Sequence, residues 1–295
     1  MSFQENDIIL SMTQPFLSII IPTLNEEKYL PRLLTDFKKQ KHRKFEIVVV
    51  DGHSEDKTQK LAASFKKDLD LTLIDSVKRG VSYQQNLGAE HAKGSYLVFL
   101  DADSRVNVNF TQNITREIEK SHYLLLLPQI LPQQGTSTDR ILFNLYNFFL
   151  DLSQNIGKPL PSIGCMVFEK EFFHFIEGYV EGQKNSKNFF PEDHDIILRA
   201  RRYGVLAKYC PSIKIGYSLR RYQREGRSNV IMKMFMSSIQ MSFKGKLIKE
   251  LFEYEMGGHL YNTKQIKNEM KKDIRNKQFH TFMDKFTKNL RDFIS

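Results

Sequence analysis

The feature that most constrains this chain is a rhythm in its first hundred residues. Short apolar runs without polar alternation recur at Phe16–Ile21, Phe45–Val50, Leu71–Ile74 and Tyr96–Leu100. Runs of this kind, rich in β-branched residues, read as strands buried on both faces. Stretches with helical spacing lie between them. Tyr29, Leu30, Leu33, Leu34 and Phe37 share one face of the first, with Asn25 as its expected N-cap. The second follows the tight turn Gly52–Thr58 and is capped near Ser54, and the third spans Val81–Ala92 with Gly94 as its stop. Strands joined in sequence by helices imply right-handed crossovers and a parallel sheet.

Two of these strands end directly in aspartate. One reads Val48-Val49-Val50-Asp51, the other Val98-Phe99-Leu100-Asp101, continuing as Ala102-Asp103. In a parallel sheet both ends lie at the same edge, where open α/β sheets bind ligands. An extended backbone would turn Asp101 and Asp103 to one side, where they could share a cation. Taken alone, Asp-X-Asp reads equally as a solvated turn. The second aspartate at the same edge favours a site. No G-x-G-x-x-G follows the first strand and no P-loop pattern occurs, which disfavours dinucleotide and P-loop chemistry.

Charge is unevenly placed along the 295 residues. From Arg199 onward lie 22 of the 44 Lys and Arg but only 8 of the 34 Asp and Glu. A basic third beside a slightly acidic domain suits a polyanionic partner: substrate phosphates, anionic lipid or nucleic acid. Two cysteines, Cys165 and Cys210, make no disulfide framework and have no metal-ligand spacing. Neither a signal-peptide succession nor an apolar stretch of transmembrane length is present. A cytoplasmic protein, soluble or peripheral to the membrane, is expected.

At this point the chain resembles a known family. Phe16–Glu27 (FLSIIIPTLNEE), Glu46–Thr58 (EIVVVDGHSEDKT), Arg79–Gly88 (RGVSYQQNLG) and Gly94–Asp103 (GSYLVFLDAD) are similar to successive blocks of family 2 glycosyltransferases. The resemblance implies a GT-A fold: a Rossmann-like α/β domain with a mostly parallel central sheet flanked by helices. It also implies that Pro22, Thr23, Asn25 and Glu26 hold the nucleotide of a nucleotide-sugar donor. Asp51 would read the base, usually uracil, and Arg79 would line the same pocket. Asp101 and Asp103 match the D-X-D motif. Asp103 is expected to ligate Mg2+ or Mn2+ bridging the diphosphate, and Asp101 to contact nucleotide and metal. A leaving diphosphate gains negative charge, which a hard cation with oxygen ligands stabilises. Gly52-His53-Ser54 departs from the pattern of many members, which have an extra Asp and Gly before the Ser.

Further along, Leu124–Leu127 reads as a strand stopped by Pro128, and Asp139–Leu152 as a helix with an aromatic face of Phe143, Tyr146, Phe148 and Phe149. That face reads as core or cover over the site. Pro159–Phe168 is a loop into a strand, and by resemblance Gly164 and Cys165 lie on the acceptor side. Cys165 reads as a small buried residue, with nothing in sequence to activate it. Pro191-Glu192-Asp193 opens a helix that Gly204 stops. Acids at a helix start favour it on electrostatic grounds alone. The resemblance adds that Glu192 faces the acceptor and that Asp193 is the catalytic base. His194 competes by its ordinary pKa but reads as a surface or supporting residue. Arg220 and Arg221 sit in a cationic stretch similar to the family's diphosphate-contacting segment.

The expected organisation is an arm at 1–14, a transferase domain at 15–228 and a basic amphipathic helical extension at 229–295. The expected reaction is metal-dependent, inverting transfer of a sugar, from UDP by the resemblance, to a glycan or lipid-linked hydroxyl. The Met-rich helix expected at Val230–Phe243 could dock on the domain, lie on a membrane surface or join a partner, docking being favoured. The basic helix at Lys264–Arg291 would suit an anionic membrane if the acceptor is lipid-linked, and no nucleic-acid partner is expected. A non-catalytic scaffold, or a protein binding membrane or nucleic acid through its basic third, is the competing class. The absence of Trp removes the signature of processive polymerising members.

Overall fold

The computed structural model describes residues 16–156, 159–160, 162–181 and 192–220. The arm at 1–14, the extension at 229–295, Pro191 and Arg221 lie outside the described residues. The unalternating runs form strands as expected: β1 (Leu17–Thr23), β2 (Phe45–Asp51), β3 (Leu71–Asp75) and β4 (Tyr96–Leu100). They are joined by helices α1 (Leu30–Lys38), α2 (Thr58–Ala63) and α3 (Val81–His91). Beyond them come β5 (Arg105–Val106), α4 (Phe110–Ser121), β6 (Leu125–Pro132), α5 (Ser137–Asn155), β7 (Cys165–Glu169), α6 (Lys170–Phe175), α7 (Glu192–Arg202) and β8 (Lys208–Tyr217).

Among the described residues these strands make one sheet in the order β3-β2-β1-β4-β7-β6-β8-β5. The first four pair in parallel, with Thr23, Asp51 and Asp75 in register at their carboxyl ends. Then the sheet turns mixed. β7 runs antiparallel to both β4 and β6, setting Cys165 opposite Leu100, while β6 and β8 are parallel. The expected mostly parallel sheet is thus present in β1–β4 and in the β6–β8 pair, with antiparallel pairings where β7 and β5 join it. Alternate residues of each buried strand feed opposite cores. Ile19, Ile21, Ile47, Val49 and Val98 meet Leu33, Phe37, Phe110 and Ile114 from α1 and α4. Ile20, Val48, Val50 and Phe99 meet Ala89, Phe173, Ile196 and Ile197 from α3, α6 and α7. Each such side chain contributes about 2 kcal/mol through burial, which accounts for the lack of polar alternation.

Several local expectations are corrected. Asn25 does not cap α1, whose N-cap is Tyr29 without a side-chain bond. Ser54 does not cap α2 but hydrogen-bonds Asp51. Gly94 is not the helix stop. It lies where a Cβ would come within 2.8 Å of the β1 backbone, so it lets the chain start β4 flush against β1. Pro128 does not end β6, because the register with β8 slips there and β8 bulges past it at Pro211–Ile213. Gly204, at φ +79°, does end α7 as expected.

Candidate active site

The carboxyl edge of β1 and β2 is built by reciprocal stitching of two loops. Asn25 adopts a left-handed φ of 54°, and its backbone N–H donates to Ser54 Oγ while its Oδ1 accepts from the Glu55 N–H, both at 2.8 Å. The Glu26 N–H donates to Thr58 Oγ1 at 2.7 Å and the Glu27 N–H to Asp56. Asp51, fully buried, accepts from Thr23 Oγ1, Ser54 Oγ, the Ser54 N–H and Gln59 Nε2 at 2.6–3.0 Å. Both its oxygens are thus engaged within the protein. Gln84 of α3, also fully buried, donates to Thr23 O and Val50 O and pins the two strand ends together. Arg79 reaches the Gly52 and His53 carbonyls and Glu55. Of these, Gln59 and Gln84 were not singled out by sequence reasoning, and Ser54 was only as a helix cap. The polar side chains clustered after two apolar strand ends were the available signal.

Asp101 and Asp103 lie just past β4. The Ser104 N–H donates to Asp101 O at 3.0 Å, so this segment is a hydrogen-bonded turn rather than a strand extension. The turn and site readings therefore coexist, but strand alternation is not what brings the two carboxylates together. Gly164, at φ +77°, accepts the Asp101 N–H and sits so close that a Cβ would be 3.3 Å from Asp101 Oδ2. Behind the turn, Arg105 grips Asp36 of α1 with two bonds of 2.5 and 2.7 Å. In front, Arg220 pairs with Asp103 Oδ2 at 2.8 Å and with both oxygens of Glu26 at 2.7 and 2.8 Å. Burial pushes the Glu26 carboxyl up to about 7, against the downward pull of Arg220.

Asp193 enters from the other side, in the first turn of α7 beside Glu192. Burial, with repulsion from Glu192 and Asp101, holds its carboxyl well above the usual range. Cys165 and Tyr179 feel the Asp193 and Asp101 charges, which locates both carboxylates around the start of β7. Burial pushes the Cys165 thiol well up, consistent with an inert buried residue. Arg199 ties α7 in place by bonding Asp195, Ile176 O and Gly178 O. His194 is not at the surface. It is 1% exposed, bonds Pro159 O through Nε2 at 2.9 Å, and is held neutral by burial, so it supports the loop leading to Gly164. The aromatic face of α5 divides, with Phe143 buried and Phe148 exposed. Tyr179, missed by sequence reasoning, is wedged against Phe99 and Phe173.

The structure thus brings Glu26, Asp101, Asp103 and Arg220 into one electrostatic cluster, sets Asp193 where it feels the Asp101 charge, and places Asn25, Asp51 and Arg79 in the adjoining loop edge. Among the described residues no helix is long and apolar enough to cross a membrane.

Known proteins agree with this architecture. The pattern of the family described as glycosyl transferase family 2 matches residues 18–176. Among curated relatives, the poly(ribitol-phosphate) beta-N-acetylglucosaminyltransferase TarS of Staphylococcus aureus is 29% identical over 130 residues, 43% of this chain and 23% of TarS. A PGL/p-HBAD biosynthesis glycosyltransferase of Mycobacterium bovis is 42% identical over 94 residues, 31% of this chain and 37% of the relative. The matched segments span well under half the length of either relative. Among solved structures, S. aureus TarS 1–349 in complex with UDP-GlcNAc superposes with TM-score 0.55 at 18% identity, covering 77% of this chain and 73% of that one. The mannosyltransferase PcManGT of Pyrobaculum calidifontis, in complex with GDP-Man and Mn2+, gives TM-score 0.59 at 20% identity, covering 81% and 69%. These likenesses establish the GT-A fold.

Proposed function

The chain belongs to glycosyl transferase family 2, and from that premise we propose that it moves a sugar from a nucleotide-sugar donor to a hydroxyl of a glycan or lipid-linked acceptor. The observation that carries this reading is the carboxylate cluster of Glu26 and Asp103 on Arg220, with the neighbouring Asp101 tied by its N–H to Gly164 ahead of β7 and repelling the Asp193 carboxyl of α7. A candidate leaving-group site and a candidate base thereby lie near one another.

In this reading Pro22, Thr23, Asn25 and Glu26 form the donor loop, and Asp51 keeps that loop and the next in one conformation. A base contact by Asp51 would exchange with one of its four internal partners. Arg79 bounds the base pocket, and Arg220 lies toward the diphosphate, a role the family resemblance extends to Arg221. The donor is UDP-linked, in line with the UDP-GlcNAc complex of TarS, with GDP-mannose as the competitor because PcManGT binds it. Asp103 and Asp101 would hold Mg2+ or Mn2+. The fit is supported by Asp103 already binding a cationic group, the Arg220 guanidinium, in a pocket of oxygen donors. No third His, Cys, Asp or Glu joins them among the described residues, so donor phosphates and water would complete the shell. When bound, such an ion neutralises the charge gathering on the diphosphate.

Asp193 takes the proton of the acceptor hydroxyl as that oxygen bonds the anomeric carbon and the nucleoside diphosphate leaves with the old bond's electrons. One displacement inverts the anomeric centre. A raised carboxyl suits this task, since a base with pKa nearer neutrality accepts a proton more readily. Gly164, Cys165 and Glu192 shape the acceptor side. A lipid-linked acceptor would place the reaction at the cytoplasmic face of a membrane, with the basic residues beyond 229 against it. Replacing Asp193 by Asn should lower kcat by about 10³ while donor affinity, measured calorimetrically with UDP-GlcNAc and GDP-mannose, changes less than about threefold. Undiminished turnover in that variant would remove Asp193 from the chemistry.

A further inference from the structure

We infer that Arg220 is an internal counter-cation for Asp103 that a divalent metal ion displaces as the donor enters, freeing the guanidinium edge for the diphosphate. The inference rests on the metal-dependent donor reading above and adds the exchange. Arg220 holds its two carboxylates differently. Nη1 and Nη2 make a bidentate grip on Glu26, at 2.8 and 2.7 Å, while Nε forms an ion pair with Asp103 at 2.8 Å. The guanidinium carbon lies 4.9 Å from the centre of the Tyr29 ring. Fork-on-fork pairing is the stronger and more directional arrangement. The ion pair with Asp103 can therefore be released while the anchor on Glu26 and Tyr29 holds.

Exchange, rather than sharing, follows from electrostatics. All three side chains are largely removed from water, at 16% exposure for Arg220, 7% for Glu26 and 13% for Asp103. Screening there is weak, and a divalent ion and a guanidinium on one carboxylate would repel strongly. A metal ion arriving alone meets a carboxylate already neutralised. A metal ion arriving with a diphosphate brings its own destination for the displaced guanidinium. Glu26 then acts as a positioning residue, holding Arg220 within reach of both Asp103 and the donor.

The inference predicts opposite signs for two affinities in one variant. With the full chain, Mn2+ binding is measured by electron paramagnetic resonance without nucleotide, and UDP binding by calorimetry in Mn2+. Arg220→Gln should bind bare Mn2+ about tenfold more tightly than wild type and UDP about tenfold more weakly, the scale of one charge-assisted bond. Arg220→Lys keeps the charge but cannot span Asp103 and Glu26, and should fall between. Equal bare-Mn2+ affinity in all three proteins overturns the exchange, as does weaker binding of both ligands to the Gln variant. In wild type, the arginine Nε–H resonance that Arg220→Lys removes should move on adding UDP with diamagnetic Mg2+. A resonance that stays in place overturns the exchange. If no protein binds Mn2+ even with UDP present, the metal-dependent reading itself falls, a result distinct from equal and measurable affinities.

Discussion

The proposed donor edge and the proposed acceptor wall of this molecule differ in how their polar groups are satisfied. At the proposed donor edge, Asp51, Asn25 and Thr58 are knitted by hydrogen bonds that cross between segments about thirty residues apart, and Gln84 of α3 reaches Thr23 O from 61 residues away. At the acceptor wall, Tyr179 Oη, Ser162 Oγ and His194 Nδ1 are buried without a partner among the described residues. Asp193 there sits against like charges from Glu192 and Asp101. One region spends its polar groups on its own rigidity, and the other holds them in reserve at a cost in stability. A binding edge benefits from the first arrangement, because a preformed loop loses little entropy on meeting its ligand. A chemical wall benefits from the second, because unsatisfied and mutually repelling groups are answered only by substrate.

This contrast can be broken most directly at Asp51. An Asn there turns two donors toward groups that themselves donate, and should cost about 4 kcal/mol in urea unfolding, with loss of nucleotide binding. A cost below about 1 kcal/mol would mean that the donor edge is not held by these bonds. Glu26 tests the junction between the regions. Its carboxyl rises from 4.5 to about 7 on folding, so between those values the folded chain keeps a proton that the unfolded chain has lost. Stability from this group is therefore present at low pH and lost as pH rises through about 7. Gln cannot ionise, so wild type should lose about 3 kcal/mol relative to Glu26→Gln across that window, read from paired melts. Parallel stability profiles would refute the burial penalty. The smallest effect is expected at the acceptor wall, where Tyr179→Phe removes an orphaned hydroxyl and should stabilise the fold by about 1 kcal/mol. Destabilisation by that amount would show the hydroxyl to be engaged.

Much of the fold was legible because the buried strands carry the signal in themselves. Ile19-Ile20-Ile21 and Val48-Val49-Val50 can serve two opposite cores only in a doubly covered sheet. Asp51 and Asp101 were legible as edge residues for the same reason. What those carboxylates touch was not legible, since the partners of Asp51 come from β1, its own loop and α2 at once. The Asp101–Ser104 turn competed with strand extension, and a backbone bond invisible in residue identity decided it. β8 was overlooked although Ile213, Ile215 and Tyr217 alternate buried with Lys214 exposed between them, a period-two pattern cut short by Pro211. The sequence could not decide between a surface and a supporting His194, because helix position says little about a loop folding over it, here the loop at Pro159.

The clasp between Arg105 and Asp36 has a practical meaning for anyone recombining family members. Asp36 lies on the helix that follows the donor loop, and Arg105 lies two residues after Asp103. The two loops are thus riveted through a bidentate pair that neither loop contains. A chimera that imports one of these two positions from a relative without the other would leave Asp36, 7% exposed, facing a foreign side chain. The natural unit of exchange therefore carries Asp36 and Arg105 together, and grafts that part them should fail in expression before they fail in catalysis.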